Sequence, residues 1–309
     1  MLRRASGVIG TTALVGLATL AWGSLVERQR FTLREHTLAL LPAGHRPLRI
    51  LHLSDLHMAP WQRRKQLWLA SLSALRPDLV IGTGDFLGHE RGIDGVVRAL
   101  QPFRGIPGVF VNGSNDYFGP SAKNPLGYFL GPSKTPVKPK RLNTDELLDF
   151  YASLGWIDLN NRVADCEIAG TRIEFFGVDD AHKGYDRLEE VRDRLEDARA
   201  DRAGASDLSI GVTHAPYRRV LDTFTAEGAG LICAGHTHGG QVCLPRFLGG
   251  TLVTNCDIPR QQARGLSLWM RGRRRAQLNV SAGVGTSIYA PLRLFCPPEA
   301  TLLTLTAAN

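Results

Sequence analysis

The chain has 309 residues and a mass of 33.8 kDa, a size that suits one large α/β domain or two small ones. Hydrophobic residues make up 43% of the chain and charged residues 21%, which excludes a disordered, collagen-like or wholly membrane-embedded protein. The formal net charge of +8 is typical of proteins with an anionic partner, or of an arginine-rich composition. The five cysteines show no CxxC spacing, so the sequence predicts neither a disulfide framework nor a zinc ribbon.

The first thirty residues carry a targeting signal. Arg3 and Arg4 precede residues 7–26, an uncharged run of 20 residues that as a helix spans a hydrocarbon core of ~30 Å. We therefore predict that residues 1–30 form a single-pass anchor in the cell membrane and that residues 31–309 form one domain. Secretion after cleavage before Trp22 and a twin-arginine export signal are alternatives. Arginines also follow the run, so the side of the membrane stays open.

Strand and helix patterns alternate in the remainder of the chain. Residues 31–40 alternate apolar and polar side chains, which predicts an edge strand. Apolar strands ending in polar residues are predicted at 48–57, 77–86 and 108–117, and again at 172–180, 208–216 and 230–240. Asn143 and Glu146 predict a capped helix to residue 154, and 185–200 reads as a charged helix. Residues 119–142, with five prolines, predict an irregular insertion.

Six side chains that commonly bind metals follow the predicted strands. In a layered α/β sheet, ligands gather where the carboxyl ends of parallel strands meet. Asp55 and His57 are two residues apart, so on an extended segment both would point the same way, as a shared metal ion requires. The other four are Asp85, His214, His236 and His238. The remaining histidines, at positions 36, 45, 52, 89 and 182, have no such setting.

The motifs around these residues resemble, in order, those of the calcineurin-like metallophosphoesterases. The matching segments are SDLH, GTGD, GSND, THAP and GHTH, spread over residues 48–240. The tail at residues 290–305 is similar to that of the membrane-associated bacterial branch of this family. The resemblance implies an α/β fold with a four-layer α/β/β/α sandwich. It also implies two divalent metal ions at the carboxyl edge, with Mn, Fe and Zn equally compatible.

The resemblance also assigns the metal ligands. One ion would be held by Asp55, His57, Asp85 and His238, and the other by Asp85, His214, His236 and the asparagine of the third motif. That motif departs from the family pattern, because Ser114 stands where the family has its asparagine and Asn115 where it has a histidine. Either Asn115 shifts to supply the ligand, or Ser114 and a water complete the second site.

Catalysis is assigned on the same basis. Asn115 and His236 would contact the phosphoryl group, but asparagine cannot deliver a proton to a leaving group near neutral pH. Asp116, Asp179 and Asp180 are candidates for supporting the ligands from behind, and surface carboxylates are the alternative for them.

The implied activity is metal-dependent hydrolysis of a phosphomonoester, phosphodiester or pyrophosphate by an activated water. The predicted anchor favours a phosphorylated lipid or envelope precursor as substrate, a phosphorylated small molecule fits as well, and the anchor argues against nucleic acid. Two alternatives remain: a nuclease of the same chemistry, and a non-catalytic metal-binding or partner-binding module, which the altered third motif favours.

Overall fold

The computed structural model describes residues 14–120 and 140–308. Most of the predicted insertion at 119–142 lies outside the described residues. The strands are β1 (Thr32–Leu41), β2 (Leu48–Leu53), β3 (Leu79–Gly82), β4 (Gly108–Phe110), β5 (Trp156–Asp158), β6 (Arg162–Ile168), β7 (Thr171–Gly177), β8 (Leu208–Val212), β9 (Leu231–Ala234), β10 (Gly265–Arg271), β11 (Arg274–Val280) and β12 (Glu299–Ala307). They form two six-stranded sheets, ordered β1-β12-β2-β3-β4-β5 and β10-β11-β9-β8-β7-β6.

The helices are α1, described over residues 14–21, α2 (Arg63–Ser71), α3 (Ile93–Leu100), α4 (Ser114–Tyr117), α5 (Thr144–Leu154), α6 (Leu188–Asp201) and α7 (Arg218–Ala226). Of these, α2, α3 and α5 cover the outer face of the first sheet, and α6 and α7 cover that of the second. The predicted cap of α5 is present, since the Asn143 side chain accepts a hydrogen bond from Glu146 N. Short 3₁₀ turns occur at Leu72–Leu75, Gln101–Phe103, His238–Gly240, Arg246–Leu248 and Arg260–Gln262.

Alternation along the strands builds three hydrophobic layers. Leu48 and Ile50 of β2 pack between the sheets, against residues such as Phe175 of β7. Leu51 and Leu53 point the other way, into the layer beneath α2, α3 and α5. A third layer lies between the second sheet and helices α6 and α7. The predicted four-layer α/β/β/α sandwich is confirmed.

A buried histidine links the two sheets. His52 lies 2.8 Å through Nε2 from Thr83 Oγ1 and 2.8 Å through Nδ1 from Asn279 Nδ2. Burial lowers the pKa of His52 to about 3, so the ring is neutral at ordinary pH. His52 is therefore part of the interior, as expected from its lack of a metal-binding setting.

The topology brings the predicted site residues to one edge. Strands β2, β3 and β4 are mutually parallel in the first sheet, and β7, β8, β9 and β11 are parallel in the second. The loops that follow β2, β3, β4, β8 and β9 carry the five sequence motifs. Both sheets therefore present their functional loops at their carboxyl ends.

The described part of the uncharged run, residues 14–26, does not form the predicted anchor. It begins in α1 and continues as a π-helix at Trp22–Val26, and a 3₁₀ turn at Glu27–Gln29 follows the run. Within residues 14–120 and 140–308, no helix is long and apolar enough to cross a membrane. The prediction of a single-pass anchor in the cell membrane is wrong.

Contacts with the domain explain this outcome. Gly23 O accepts a hydrogen bond of 3.2 Å from Arg293 N, and a Cβ at Gly23 would lie 2.6 Å from Arg293 O. The buried Glu27 side chain accepts a 2.7 Å hydrogen bond from Cys296 N. The end of the run is thus part of the folded body, a role that an apolar pattern alone does not distinguish from a membrane span.

Candidate metal centre

All six predicted histidine and aspartate ligands converge at the carboxyl edge. His57 Nε2 lies 3.1 Å from His238 Nε2 and 3.5 Å from Asp85 Oδ2. On the other side of Asp85, Oδ1 lies 3.6 Å from His214 Nε2. The set divides into two groups that could each hold a metal ion and that share Asp55, namely Asp55, His57, His238 and Asp55, Asp85, His214.

His236 completes the second side of the cluster. Its Nδ1 lies 3.2 Å from His214 Nε2. The other ring nitrogen of His214 is 2.7 Å from the carbonyl oxygen of Thr83, which can only accept a hydrogen bond. His214 Nδ1 therefore donates, and Nε2 is the nitrogen that faces Asp85 and His236.

A left-handed backbone, rather than an extended strand, aims these side chains. Strand β2 ends at Leu53, and φ is +49° at Asp55 and +40° at His57. The same conformation recurs at Asp85, His236 and His238, with φ of +56°, +67° and +49°. Such residues each cost about 1–3 kcal/mol and concentrate at functional sites. Asp55 and His57 do lie together in the cluster, but the proposed reason, alternation on an extended segment, is wrong.

Two glycines allow the loops to approach this closely. A Cβ at Gly113 would lie 2.4 Å from Asp85 Oδ1 and 2.7 Å from His214 Cε1. A Cβ at Gly235 would lie 2.6 Å from Asp55 Oδ2. Contacts this short between non-bonded atoms are not tolerated, so the cluster requires glycine at both positions.

The two candidates of the third motif face different carboxylates. Asn115 N and Nδ2 donate to the two oxygens of Asp85, at 2.7 and 2.6 Å. Ser114 Oγ instead donates to Asp180 Oδ2. The Asn115 side chain therefore lies within the cluster, whereas that of Ser114 is engaged away from the predicted ligands. Asn115 Oδ1, the other atom of the amide, could bind a cation while Nδ2 keeps its hydrogen bond to Asp85.

The predicted supporting carboxylates are buried or half-buried. Asp116 accepts hydrogen bonds from the backbone N–H groups of Asp85, Phe86 and Gly113, at 2.7 to 2.9 Å. It thereby fixes the Asp85 loop to α4. Asp179 accepts from Tyr117 Oη at 2.7 Å, and Asp180 accepts from Ser114. Asp116 and Asp180 are almost fully enclosed, which argues against the surface alternative for these two.

The protonation states reflect burial against local charge. Burial lowers the pKa of His57, His236 and His238 well below 6.5, which leaves these rings neutral. Burial would also lower the pKa of His214, but the carboxylates of Asp85 and Asp55 raise it to about 9. Burial raises the pKa of Asp55 and raises that of Asp85 to about 6.

The cluster fits divalent cations. Asp55 Oδ2 accepts hydrogen bonds from Ser54 Oγ and His236 N, but the buried Oδ1 has no hydrogen-bond partner among the described residues. This Oδ1 lies 3.6 Å from His238 Nε2. Imidazole nitrogens and carboxylate oxygens that face one another without intervening donors form the mixed donor set that Mn, Fe and Zn accept.

Two further side chains touch the cluster that sequence analysis did not identify. The ring of His182 lies 4.6 Å from that of His236, and its Nδ1 is 3.0 Å from Tyr217 Oη. The Asn255 side-chain amide is 3.1 Å from His236 Nε2. Both residues lie in irregular loops without a motif. A signal was nevertheless present for His182, which comes two residues after Asp180, the second of the strand-end carboxylates at 179 and 180.

Comparison with known proteins identifies the class. A model of the calcineurin-like phosphoesterase family matches residues 48–240. The chain belongs to this family, and it is a metal-dependent phosphoesterase. Among similar proteins of Bacillus subtilis (strain 168), the uncharacterized protein YpbG is 27% identical over 94% of this chain and 96% of its own length. The uncharacterized metallophosphoesterase YkuE is 24% identical, over 98% of this chain and 95% of its own length.

The chain is also similar to an animal protein and to a solved bacterial structure. The bovine transmembrane protein with metallophosphoesterase domain is 26% identical over 99% of this chain and 63% of its own length. Among solved structures, TT1561 of Thermus thermophilus covers 77% of this chain and 91% of its own, with 12% identity and a TM-score of 0.45.

Proposed function

We propose that this chain hydrolyses a phosphorylated small molecule at a centre of two divalent cations. The convergence of three histidines and Asp85 on Asp55, whose Oδ1 has no hydrogen-bond partner among the described residues, is the observation that carries the proposal, and His236 lies beside His214 in the same cluster. One cation would be held by Asp55, His57, Asp85 and His238. The other would be held by Asp85, His214, His236 and Asn115. The preference for a phosphorylated lipid and the argument against nucleic acid both depended on the predicted membrane anchor, so both lose their basis.

The cations, when bound, would activate a water for attack on phosphorus and offset negative charge on the phosphoryl oxygens. The chain's own residues prepare the site for this chemistry. Asp85 directs one oxygen to each half of the cluster, and the backbone and amide of Asn115 hold its carboxylate in that orientation. Thr83 fixes the His214 ring so that Nε2 faces inward.

The first experiment removes the carboxylate of Asp85, which faces both halves of the cluster. Asp85→Asn should reduce bound Mn²⁺ from about two ions towards one or none, and hydrolysis of bis(p-nitrophenyl) phosphate should fall to background, because Asp85 serves both halves. Metal analysis and the hydrolysis assay are run on the same samples. Two bound ions and full turnover in Asp85→Asn would contradict the proposal.

Asp78, which directly precedes β3, provides a matched control. It lies at the opposite end of this strand from Asp85 and accepts a 2.8 Å hydrogen bond from Arg49 N. Asp78→Asn should keep both metal and turnover. If the unmodified chain binds two ions but hydrolyses no phosphate ester, the alternative of a non-catalytic metal-binding module is favoured instead.

The presence of Asn115 predicts which phosphate esters are hydrolysed fastest. Because an amide cannot protonate a departing oxygen, hydrolysis should depend steeply on the acidity of the leaving group. Aryl esters and phosphoanhydrides should be cleaved far faster than simple alkyl monoesters. Rates for a series of substituted phenyl phosphodiesters test this, and a flat dependence would show that another acid supplies the proton.

Metal analysis distinguishes Asn115 from Ser114 as a ligand of the second ion. Asn115→His should lower the metal content if Asn115 is the ligand, as its contact with Asp85 supports. Ser114→Ala should leave the metal content unchanged, because Ser114 Oγ is engaged with Asp180. Metal loss in Ser114→Ala but not in Asn115→His would reverse the assignment.

A further inference from the structure

Asn255 lies against the predicted ligand His236 but outside every motif of the family pattern. It falls after the matched residues 48–240, in the irregular segment between β9 and β10. Its side-chain nitrogen Nδ2 is placed 3.1 Å from His236 Nε2, while the opposite ring nitrogen, Nδ1, faces His214 Nε2 at 3.2 Å. The two nitrogens of His236 thus have separate roles, one towards the cluster and one towards Asn255.

The proton on the His236 ring must be located for the ring to bind a cation. A neutral imidazole carries one N–H and one lone pair, and only the lone pair can bind a metal. If Nδ1 binds the cation beside His214, Nε2 must carry the proton and must donate it to an acceptor. The amide oxygen of Asn255 can serve as that acceptor, because rotation of the amide by 180° exchanges its oxygen and nitrogen positions.

The surrounding loop holds Asn255 in place. Thr254 Oγ1 donates to Cys256 O at 2.6 Å, and Thr251 Oγ1 donates to Gly239 O at 3.0 Å, which ties the segment to the GHTH loop. Asn255 has a φ of +55°, a left-handed conformation that asparagine adopts more readily than most residues. On its other side, His236 contacts the His182 ring, so its orientation is limited from two directions.

We propose that Asn255 is a positioning residue for the second metal site, where its amide oxygen accepts the Nε2 proton of His236 and leaves the Nδ1 lone pair facing the cluster. This inference rests on the proposed function in one respect, that His236 is a metal ligand. Hydrogen-bond partners of this kind fix the ring orientation and the tautomer of metal-bound histidines, and their loss commonly weakens metal affinity about 10–100-fold.

The substitution Asn255→Gly tests the role with little disturbance of the backbone. Glycine accepts a φ of +55° without strain, so only the side chain is lost. Titration of the metal-free full-length chain with Mn²⁺ should show the second ion binding about 10–100-fold more weakly, with the first changed by less than about threefold. In ¹⁵N spectra of the metal-free protein above about pH 9, where His214 Nε2 no longer donates to Nδ1, the proton on the His236 ring should no longer be confined to Nε2.

Two further variants make the outcome specific. Asn255→Asp retains an oxygen acceptor and also tolerates a left-handed backbone, so it should restore the affinity for the second ion to within about threefold. Ala169→Gly is the backbone control: Ala169 has a φ of +57° in the turn between β6 and β7, and this change should leave both ions unaffected.

The possible results separate cleanly. Tight binding of the second ion in Asn255→Gly would overturn the inference, and would assign the role to the backbone of Asn255, which also acts on the His236 ring. Weak binding in both Asn255→Gly and Asn255→Asp, with unchanged thermal stability, would overturn the acceptor role. If the unmodified chain binds fewer than two ions, the proposed function fails instead, independently of Asn255.

Discussion

The Asp55 loop (residues 54–57) and the His236 loop (residues 235–238) have the same spacing of ligands and the same backbone conformation at those ligands. Different groups support the two loops. Each presents two predicted ligands two residues apart, all in the left-handed conformation. Behind the Asp55 loop lie two buried basic side chains: Arg293, and Lys65, whose pKa burial lowers to about 7. None of the hydrogen bonds of the His236 loop to the described residues involves a lysine or arginine: Thr237 Oγ1 donates to Ala263 O, Cys296 Sγ lies 3.2 Å from His238 O, and His236 N donates to the Asp55 carboxylate. The Asp55 loop thus receives a hydrogen bond from a basic side chain and the His236 loop, among the described residues, does not.

These basic side chains act on both structure and protonation. Lys65 Nζ donates to Leu56 O at 2.6 Å, inside the Asp55 loop. Arg293 donates to the carbonyls of residues 282, 283, 285 and 296, and the 283–285 segment in turn donates to Ser54 O and Asp55 O. After burial, the charge of Lys65 further lowers the pKa of His57, and that of Arg293 lowers it for His57 and His238. Positive charge behind the site therefore favours the neutral, ligand form of these rings.

The largest expected effect follows from removal of Arg293. Arg293→Met should reduce the free energy of unfolding by about 3–5 kcal/mol, because several buried carbonyls would lose their donor at once. Urea denaturation of the metal-free protein measures this change. Arg271→Met is the control, since the Arg271 side chain is 63% exposed and its loss should change the value by less than about 0.5 kcal/mol. A loss below about 1 kcal/mol at Arg293 would remove the contrast between the loops.

The fold and the six histidine and aspartate ligands could be predicted because their signals are local. Each ligand directly follows a short apolar strand, and parallel strands bring such positions to one edge. The contributions of Arg293 and Asn255 could not be predicted in this way. Both lie in irregular segments near the end of the chain, and their contacts with residues 23, 236 and 282–285 arise only from tertiary packing.

The uncharged run at residues 7–26 shows that a strong local pattern can also predict the wrong structure. Twenty uncharged residues satisfy the length of a membrane span, but the pattern does not register that Gly23 and Glu27 contact the 293–296 segment. The two-residue spacing of Asp55 and His57 was likewise only partly informative. It predicted that they converge but not the left-handed turn that brings this about, because φ is set by the close packing of the loops around Gly235 and Gly283.

A smaller effect concerns protons and the half of the site that contains His214. With its pKa at about 9 in the metal-free protein, His214 must release a proton when a cation binds. Affinity for Mn²⁺ should therefore rise about tenfold per pH unit between about pH 7 and 9 and then level off. Calorimetry in buffers of different ionisation enthalpy measures the released proton. An affinity that does not change over this range would show that His214 is already neutral.

The same shift has a defined sign for stability. A histidine whose pKa is raised on folding stabilises the metal-free protein fully below about pH 6.5, and this contribution is lost as the pH rises through about 9. The metal-bound protein should lack this dependence, since the cation replaces the proton. Comparison of urea denaturation with and without Mn²⁺ across this range provides the check.

The smallest effect is expected at Cys296, next to the His236 loop. Cys296 is fully buried, and its Sγ lies 3.2 Å from His238 O, to which the thiol is a weak donor only while it keeps its proton. Hydrogen bonding with Cys243 lowers the pKa of Cys296 to about 6, so the measurement is made below that pH. Cys296→Ala should therefore lower the free energy of unfolding by only about 1 kcal/mol and leave Mn²⁺ affinity within about threefold. Cys233→Ala is the matched control, because Cys233 is equally buried but lies between the sheets, among apolar side chains. The difference between the two variants isolates the hydrogen bond to His238 from the loss of a buried sulfur atom. Should Cys296→Ala cost as much as Arg293→Met, or weaken metal binding more than about tenfold, the His236 loop would depend on its thiol as strongly as the Asp55 loop depends on its basic side chains.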